Sequence, residues 1–105
     1  MEVKDLELLC FNIIAQVGEA KSCYLQSLKF TKKGKMQEAQ ELMKQGDAAF
    51  LEGHKQHVNL IQQEACGKPV GVTLLLLHAE DQMMATETIK ILVDEFKEVY
   101  QKIGG

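Results

Sequence analysis

There is no arginine and no tryptophan in this 105-residue chain, and only one proline. All twelve basic residues are lysines. Bidentate recognition of phosphates and base edges depends mostly on guanidinium groups, so the missing arginine argues against nucleic-acid binding. The six aromatics, Tyr and Phe only, do not interleave with lysine as a base-stacking platform requires. Net charge is −3, too small to be diagnostic of any partner.

Cysteine is scarce and badly placed for cross-linking. Cys10, Cys23 and Cys66 are odd in number and far apart, with no CxxC and no Cys/His zinc spacing. The opening residues Met1 to Asp5 have neither the basic nor the apolar run of a secretory leader. The longest apolar run, Leu74 to Leu77 with its flanks, is too short to span a bilayer. These features predict a cytoplasmic protein in a reducing compartment, with no membrane insertion.

What remains is an ordinary globular composition with sparse punctuation. Hydrophobic residues make up 46%, enough for a core, and the length suits a single domain over residues 1–105. A chain this small buries a modest core, so association would help it. Glycine and proline cluster at Thr31-Lys32-Lys33-Gly34-Lys35 and at Gly67-Lys68-Pro69-Val70-Gly71. The three segments between them, about 3–30, 35–66 and 70–103, carry helical periodicity and no sustained alternation. Short connections make neighbouring helices antiparallel. The predicted fold is all-α, an antiparallel three-helix bundle.

In the first segment Leu6, Cys10, Ile13, Val17, Ala20 and Tyr24 form the apolar stripe, and Gly18 reads as a point of close packing. The second carries a 3.5-residue seam from Met36 to Glu64. Gly46 and Gly53 on that seam should admit a neighbouring helix. His57 takes a seam position and reads as a half-buried histidine with one partner. His54 reads as a surface or helix-edge residue.

The third segment has two apolar faces. Leu74, His78, Asp81, Ala85, Leu92, Phe96, Val99 and Ile103 fall on one stripe; Leu75, Ala79, Met83, Thr86, Val93 and Tyr100 form another. Glu80, Glu87, Asp94 and Glu98 lie on the opposite side. One face suffices for a three-helix subunit, so the second predicts an oligomer built around this helix.

His78-Ala79-Glu80-Asp81-Gln82 is a titratable cluster inside the most apolar stretch. His78 lacks the companion histidines of a metal site, and no nucleophile or Gly-rich oxyanion loop stands near it. Two readings stay open. His78 is a core histidine paired with Asp81, or it is itself a nucleophile that carries a group on an imidazole nitrogen. Asp81 is likewise open. Copies meeting at an oligomer axis would require a hard cation such as Mg²⁺, whereas a single Asp would pair with a lysine.

The run His78-Ala79-Glu80-Asp81-Gln82-Met83-Met84 resembles the signature His-(Ala or Gly)-Gln-Asp-His-Leu-Met of the lactose/cellobiose-type enzyme IIA components of the bacterial sugar phosphotransferase system. The likeness covers the whole chain, including Gly18-Glu19-Ala20-Lys21-Ser22 and Glu52-Gly53-His54. It implies a homotrimer of three-helix subunits, nine helices in all. It implies that His78 accepts a phosphoryl group from HPr on Nε2 and passes it to a cysteine of the cognate enzyme IIB, which serves membrane enzyme IIC. It implies one Mg²⁺ per trimer, shared by Asp81 of three subunits. The sugar is chosen by the membrane partner.

Three positions depart from the family pattern. The family's Gln is Glu80 here, its second His is Gln82, and a Gln of its second segment is His57. One explanation is that His57 and Gln82 are neighbours that exchanged partners. Glu80 then either faces solvent or reaches a neighbouring subunit's histidine, where its charge would disfavour phosphohistidine. Leu77, Met84 and Ile91, apolar on the polar side of the third helix, read as a docking rim or as a surface buried against another subunit. Two rival functions share the fold: a phosphorylation-dependent regulatory module, and a trimeric scaffold with a structural metal.

Overall fold

The computed structural model describes residues 2–104. It contains three helices of 30 residues each: α1 (Val3–Lys32), α2 (Met36–Ala65) and α3 (Leu74–Ile103). There is no strand among the described residues. At 1.5 Å per residue each helix is about 45 Å long, which accounts for a rod of 54 × 20 × 18 Å.

The turns are made where glycine was available. Gly34 and Gly67 adopt φ of 76° and 81°. Each follows the end of a helix, and the amide after it reaches back to close the last turn: Lys35 N–H to Phe30 O, Lys68 N–H to Gln63 O. Glycine carries no Cβ penalty in this left-handed region, so it ends the helix cheaply. The third helix begins later than its hydrophobic pattern suggests. Thr73 is extended and acts as the N-cap, its hydroxyl accepting from Leu76 N–H at 3.1 Å. Val70 to Gly71 therefore belongs to the connection.

α1 is the central element and packs against both other helices. Its expected stripe, Leu6, Cys10, Ile13, Val17, Ala20 and Tyr24, is buried throughout. Leu60 of α2 and Ala79 and Met83 of α3 complete one core cluster; Ala49 and Val93 meet Ala20 and Tyr24 in another. Gly46 and Gly53 do bring α2 close. A Cβ on Gly46 would stand 2.6 Å from Tyr24 Cε1, and one on Gly53 would stand 3.0 Å from Val17 Cγ1. Gly18 does not have that role within the subunit, because a Cβ there would meet nothing within 4 Å.

Among the described residues every buried side-chain nitrogen and oxygen has a hydrogen-bond partner. Ser27 Oγ donates to Ala39 O at 2.6 Å, tying α1 to α2. Tyr24 Oη donates to Asp47 Oδ1 at 2.7 Å, and Lys90 Nζ of α3 reaches the same oxygen at 3.0 Å. Burial, and then the Asp47 carboxylate, push the Tyr24 phenol well above its ordinary range. Cys10, Cys23 and Cys66 are free thiols, the first two buried. Among the described residues no helix is long and apolar enough to cross a membrane.

Candidate functional site

His78 lies in the second turn of α3 and points to solvent. It makes no side-chain hydrogen bond among the described residues. The paired core histidine is thereby excluded: His78 is neither buried nor bonded to Asp81. It borders an open apolar depression of about 540 Å³ together with Leu74 and Leu75. Its neighbours along the helix explain why so greasy a segment is exposed. The face Ala79, Met83, Thr86 and Val93 is buried in the subunit. The other stripe is not: Leu74 is 83% exposed, Phe96 48% and Ile103 75%. His78 and Asp81 sit on this uncovered stripe.

Asp81 is exposed and takes part in no ion pair among the described residues. Of its two readings, the lysine pair is not formed among the described residues. No group of three or more His, Cys, Asp or Glu side chains suited to a metal is present among the described residues of one chain.

His57 has one partner, as its seam position implied, but the partner is Glu80. The His57 Nε2–H donates to Glu80 Oε1 at 2.6 Å across α2 and α3. The carboxylate is acceptor-only, so the imidazole must be the donor. The side chains are 16% and 38% exposed. Gln82, half-buried, makes no side-chain hydrogen bond among the described residues. His57 pairs with Glu80, and Glu80 faces its own subunit's second helix rather than open solvent. The helical wheel placed Glu80 well away from the apolar stripe but could not show that α2 passes there. Two of the three departures from the family signature meet each other in this bond.

The Tyr24–Asp47–Lys90 knot was not read from sequence. A signal existed: Tyr24 lies on the core stripe, and a buried phenol needs a partner. Nothing in the pattern of α2 singled out Asp47. The knot lines a cleft of about 440 Å³ with Phe50, Leu51 and His54. His54 is exposed and stacks on Phe50, ring centroids 6.4 Å apart, as its edge position implied.

Residues 8–101 match the family model described as the lactose/cellobiose-specific IIA subunit of the phosphotransferase system. The chain belongs to that family. It is 37% identical over 103 residues to the oligo-beta-mannoside-specific EIIA component of Bacillus subtilis, covering 96% of this chain and 94% of that protein. It is 30% identical to the lactose-specific EIIA component of Staphylococcus epidermidis, covering 97% and 98%. The crystal structure of the cellobiose-specific enzyme IIA from Bacillus anthracis superposes with a TM-score of 0.91 at 36% identity, covering 99% of this chain and 94% of that one. Membership makes this protein a component of the sugar phosphotransferase system, with a phosphoryl-carrier role in sugar uptake.

Proposed function

We propose that His78 is the phosphoryl carrier. It accepts the group from HPr on Nε2 and yields it to a cysteine of the cognate enzyme IIB, in the cytoplasm. The observation that carries this reading is the state of His78: an exposed imidazole without a hydrogen-bond partner, beside an apolar depression, in a IIA-family chain. A neutral imidazole is nucleophilic near physiological pH. The nitrogen lone pair attacks the phosphorus as the bond to the donor's nitrogen breaks. In the second step the enzyme IIB thiolate attacks, and the imidazole leaves. Little further machinery is required of this chain, because positioning and charge stabilisation dominate phosphoryl transfer and the partner proteins share the site. The His57–Glu80 bond supports the reading by engaging the one carboxylate of the cluster whose charge was expected to oppose a phosphohistidine.

The working form is a homotrimer in which the exposed stripe of α3 from Asp81 to Ile103 lines a three-fold axis, while the His78 turn stays open to the partner proteins. The uncovered Leu92, Phe96, Val99 and Ile103 support it, being spaced for helices packed along their length. Asp81 fits a shared divalent cation. It is an unpaired carboxylate among apolar neighbours, and three such groups on an axis need a hard cation that accepts oxygen ligands, Mg²⁺ being the natural choice. When bound, the ion would neutralise those carboxylates. The test is incubation with enzyme I, HPr and labelled phosphoenolpyruvate. Acid-labile, alkali-stable label on the wild type and none on a folded His78→Ala variant is expected. Equal labelling of the two sinks the assignment.

A further inference from the structure

Charge is unevenly placed along the rod. One end is formed by the α1–α2 turn and the last turn of α3. There residues 31–35 and 99–104 carry Lys32, Lys33, Lys35 and Lys102 and no Asp or Glu. All four lysines are exposed, and none is in an ion pair among the described residues. Lys32 Nζ lies 6.0 Å from the centre of the Tyr100 ring, and Lys33 Nζ 6.0 Å from that of Phe30. Aromatic faces thus hold two of the ammonium groups without neutralising them. Between the turn and α3 is an open recess of about 360 Å³, walled in part by Thr31, Lys32, Tyr100 and Gln101. The opposite end mixes signs, with Lys4 and Lys68 beside Glu2, Asp5 and Glu64. We propose that the lysine end is a docking surface for anionic phospholipid headgroups, by which the trimer stands end-on at the membrane. The proposal rests on the trimeric reading given above.

α1 and α3 run parallel, with the Thr86 hydroxyl donating to Val17 O and Lys32 beside Tyr100, so their C-termini share this end. An axis parallel to the helices brings the lysines of all three copies to one face. Three identical patches related by rotation engage together only on a target that repeats laterally. A lipid surface does so; a single acidic protein does not. Lysine suits such a target, because a compact ammonium on a flexible stem follows a fluid array of phosphates without bidentate geometry. The net charge of −3 does not prevent the contact. At physiological ionic strength charges are screened over about 8 Å, roughly five residues of helix. Within that depth the carboxylates are Glu38 and Glu98, which Lys29 and Lys97 offset at the same level. The lysines of the tip are left in excess. Along α3 His78 stands about 36 Å from Lys102. End-on attachment leaves the imidazole clear of the lipid and open to HPr, close to the membrane enzyme IIC that the relay serves.

The test is flotation of the full chain with vesicles of phosphatidylglycerol and phosphatidylcholine in equal parts, and with vesicles of phosphatidylcholine alone. Binding to the mixed vesicles only, lost in about 0.5 M salt, is expected. Each lysine near an anionic surface contributes roughly a factor of five. A Lys32→Gln/Lys33→Gln/Lys35→Gln chain should bind more weakly by about tenfold or more, yet accept label from HPr as the wild type does. A Lys4→Gln/Lys55→Gln/Lys68→Gln chain, changed in the other half of the rod, should bind like the wild type. Equal weakening of the two variants overturns the proposal, since it marks a response to overall charge. Wild-type protein that ignores the mixed vesicles overturns it too. Displacement by an excess of glycerol 3-phosphate would assign the recess to a soluble anion. Binding to polyglutamate but not to vesicles would assign the end to an acidic protein. Either result overturns the lipid contact. Light scattering on the same samples keeps the two readings apart. A trimer that does not float overturns the membrane contact alone, whereas a monomer overturns the trimer and the end-on arrangement with it.

Discussion

Replacing Gly46 by alanine is the sharpest perturbation of the packing that positions α2. Helix propensity alone favours alanine by about 1 kcal/mol. The new methyl would stand 2.6 Å from Tyr24 Cε1 and 2.9 Å from Cδ1, against an ordinary separation of about 3.5–4 Å. The ring must move by about 1 Å, and it is not free to do so. It is 1% exposed, and its hydroxyl is held by Asp47 at 2.7 Å. Overpacking costs about 1–3 kcal/mol, and disturbing the phenol's hydrogen bond about 1 kcal/mol more. The net loss should be about 1–3 kcal/mol, a fall in Tm of roughly 5–20 °C for a domain of this size. Urea and thermal unfolding at fixed protein concentration measure it, since assembly makes apparent stability concentration-dependent. In a Tyr24→Phe background the ring is untethered, and the same substitution should cost less. A Gly46→Ala protein as stable as wild type would refute the close approach.

The His57–Glu80 bond predicts coupling between His57→Gln and Glu80→Gln of about 1 kcal/mol, because each single change strands a half-buried partner and the double change leaves two amides able to bond; additivity within about 0.3 kcal/mol contradicts it. The raised phenol of Tyr24 sets the sign of an alkaline effect. The folded form holds its proton above the ordinary phenol value of about 10, so this contribution to stability is intact below pH 10 and is lost as pH climbs through the folded titration. Tyrosinate absorbance should show Tyr24 ionising only well above the ordinary phenol range or with unfolding. Native protein should release one thiol equivalent rapidly to a disulfide reagent, from exposed Cys66. Cys10 and Cys23 are buried, with thiols pushed up chiefly by that burial, and should react only on unfolding.

Helices were legible because the apolar residues of α1 recur at threes and fours from Leu6 to Tyr24, and because Gly34 and Gly67 stand where left-handed turns are required. The start of α3 was less so: Thr73 is embedded in an apolar run, and its capping role depends on a hydroxyl's direction that periodicity does not encode. Within the site, a wheel places residues around one helix and says nothing of which helix passes by. It therefore separated the two apolar faces of α3 correctly and left Glu80 without its true neighbour. His57 was expected to have one partner, yet only packing α2 against α3 identified it. Gly18 shows the same limit, since a glycine in a helix marks close approach without saying to what.

The phosphoryl relay itself gives the most direct test of the account. Wild-type chain, loaded through labelled phosphoenolpyruvate, enzyme I and HPr, is separated from them and mixed with the cognate enzyme IIB. Label on His78 that then appears on the enzyme IIB cysteine is expected, with a folded His78→Ala chain neither labelled nor able to transfer. Label retained at another residue of that variant, or transfer that proceeds without His78, would contradict it.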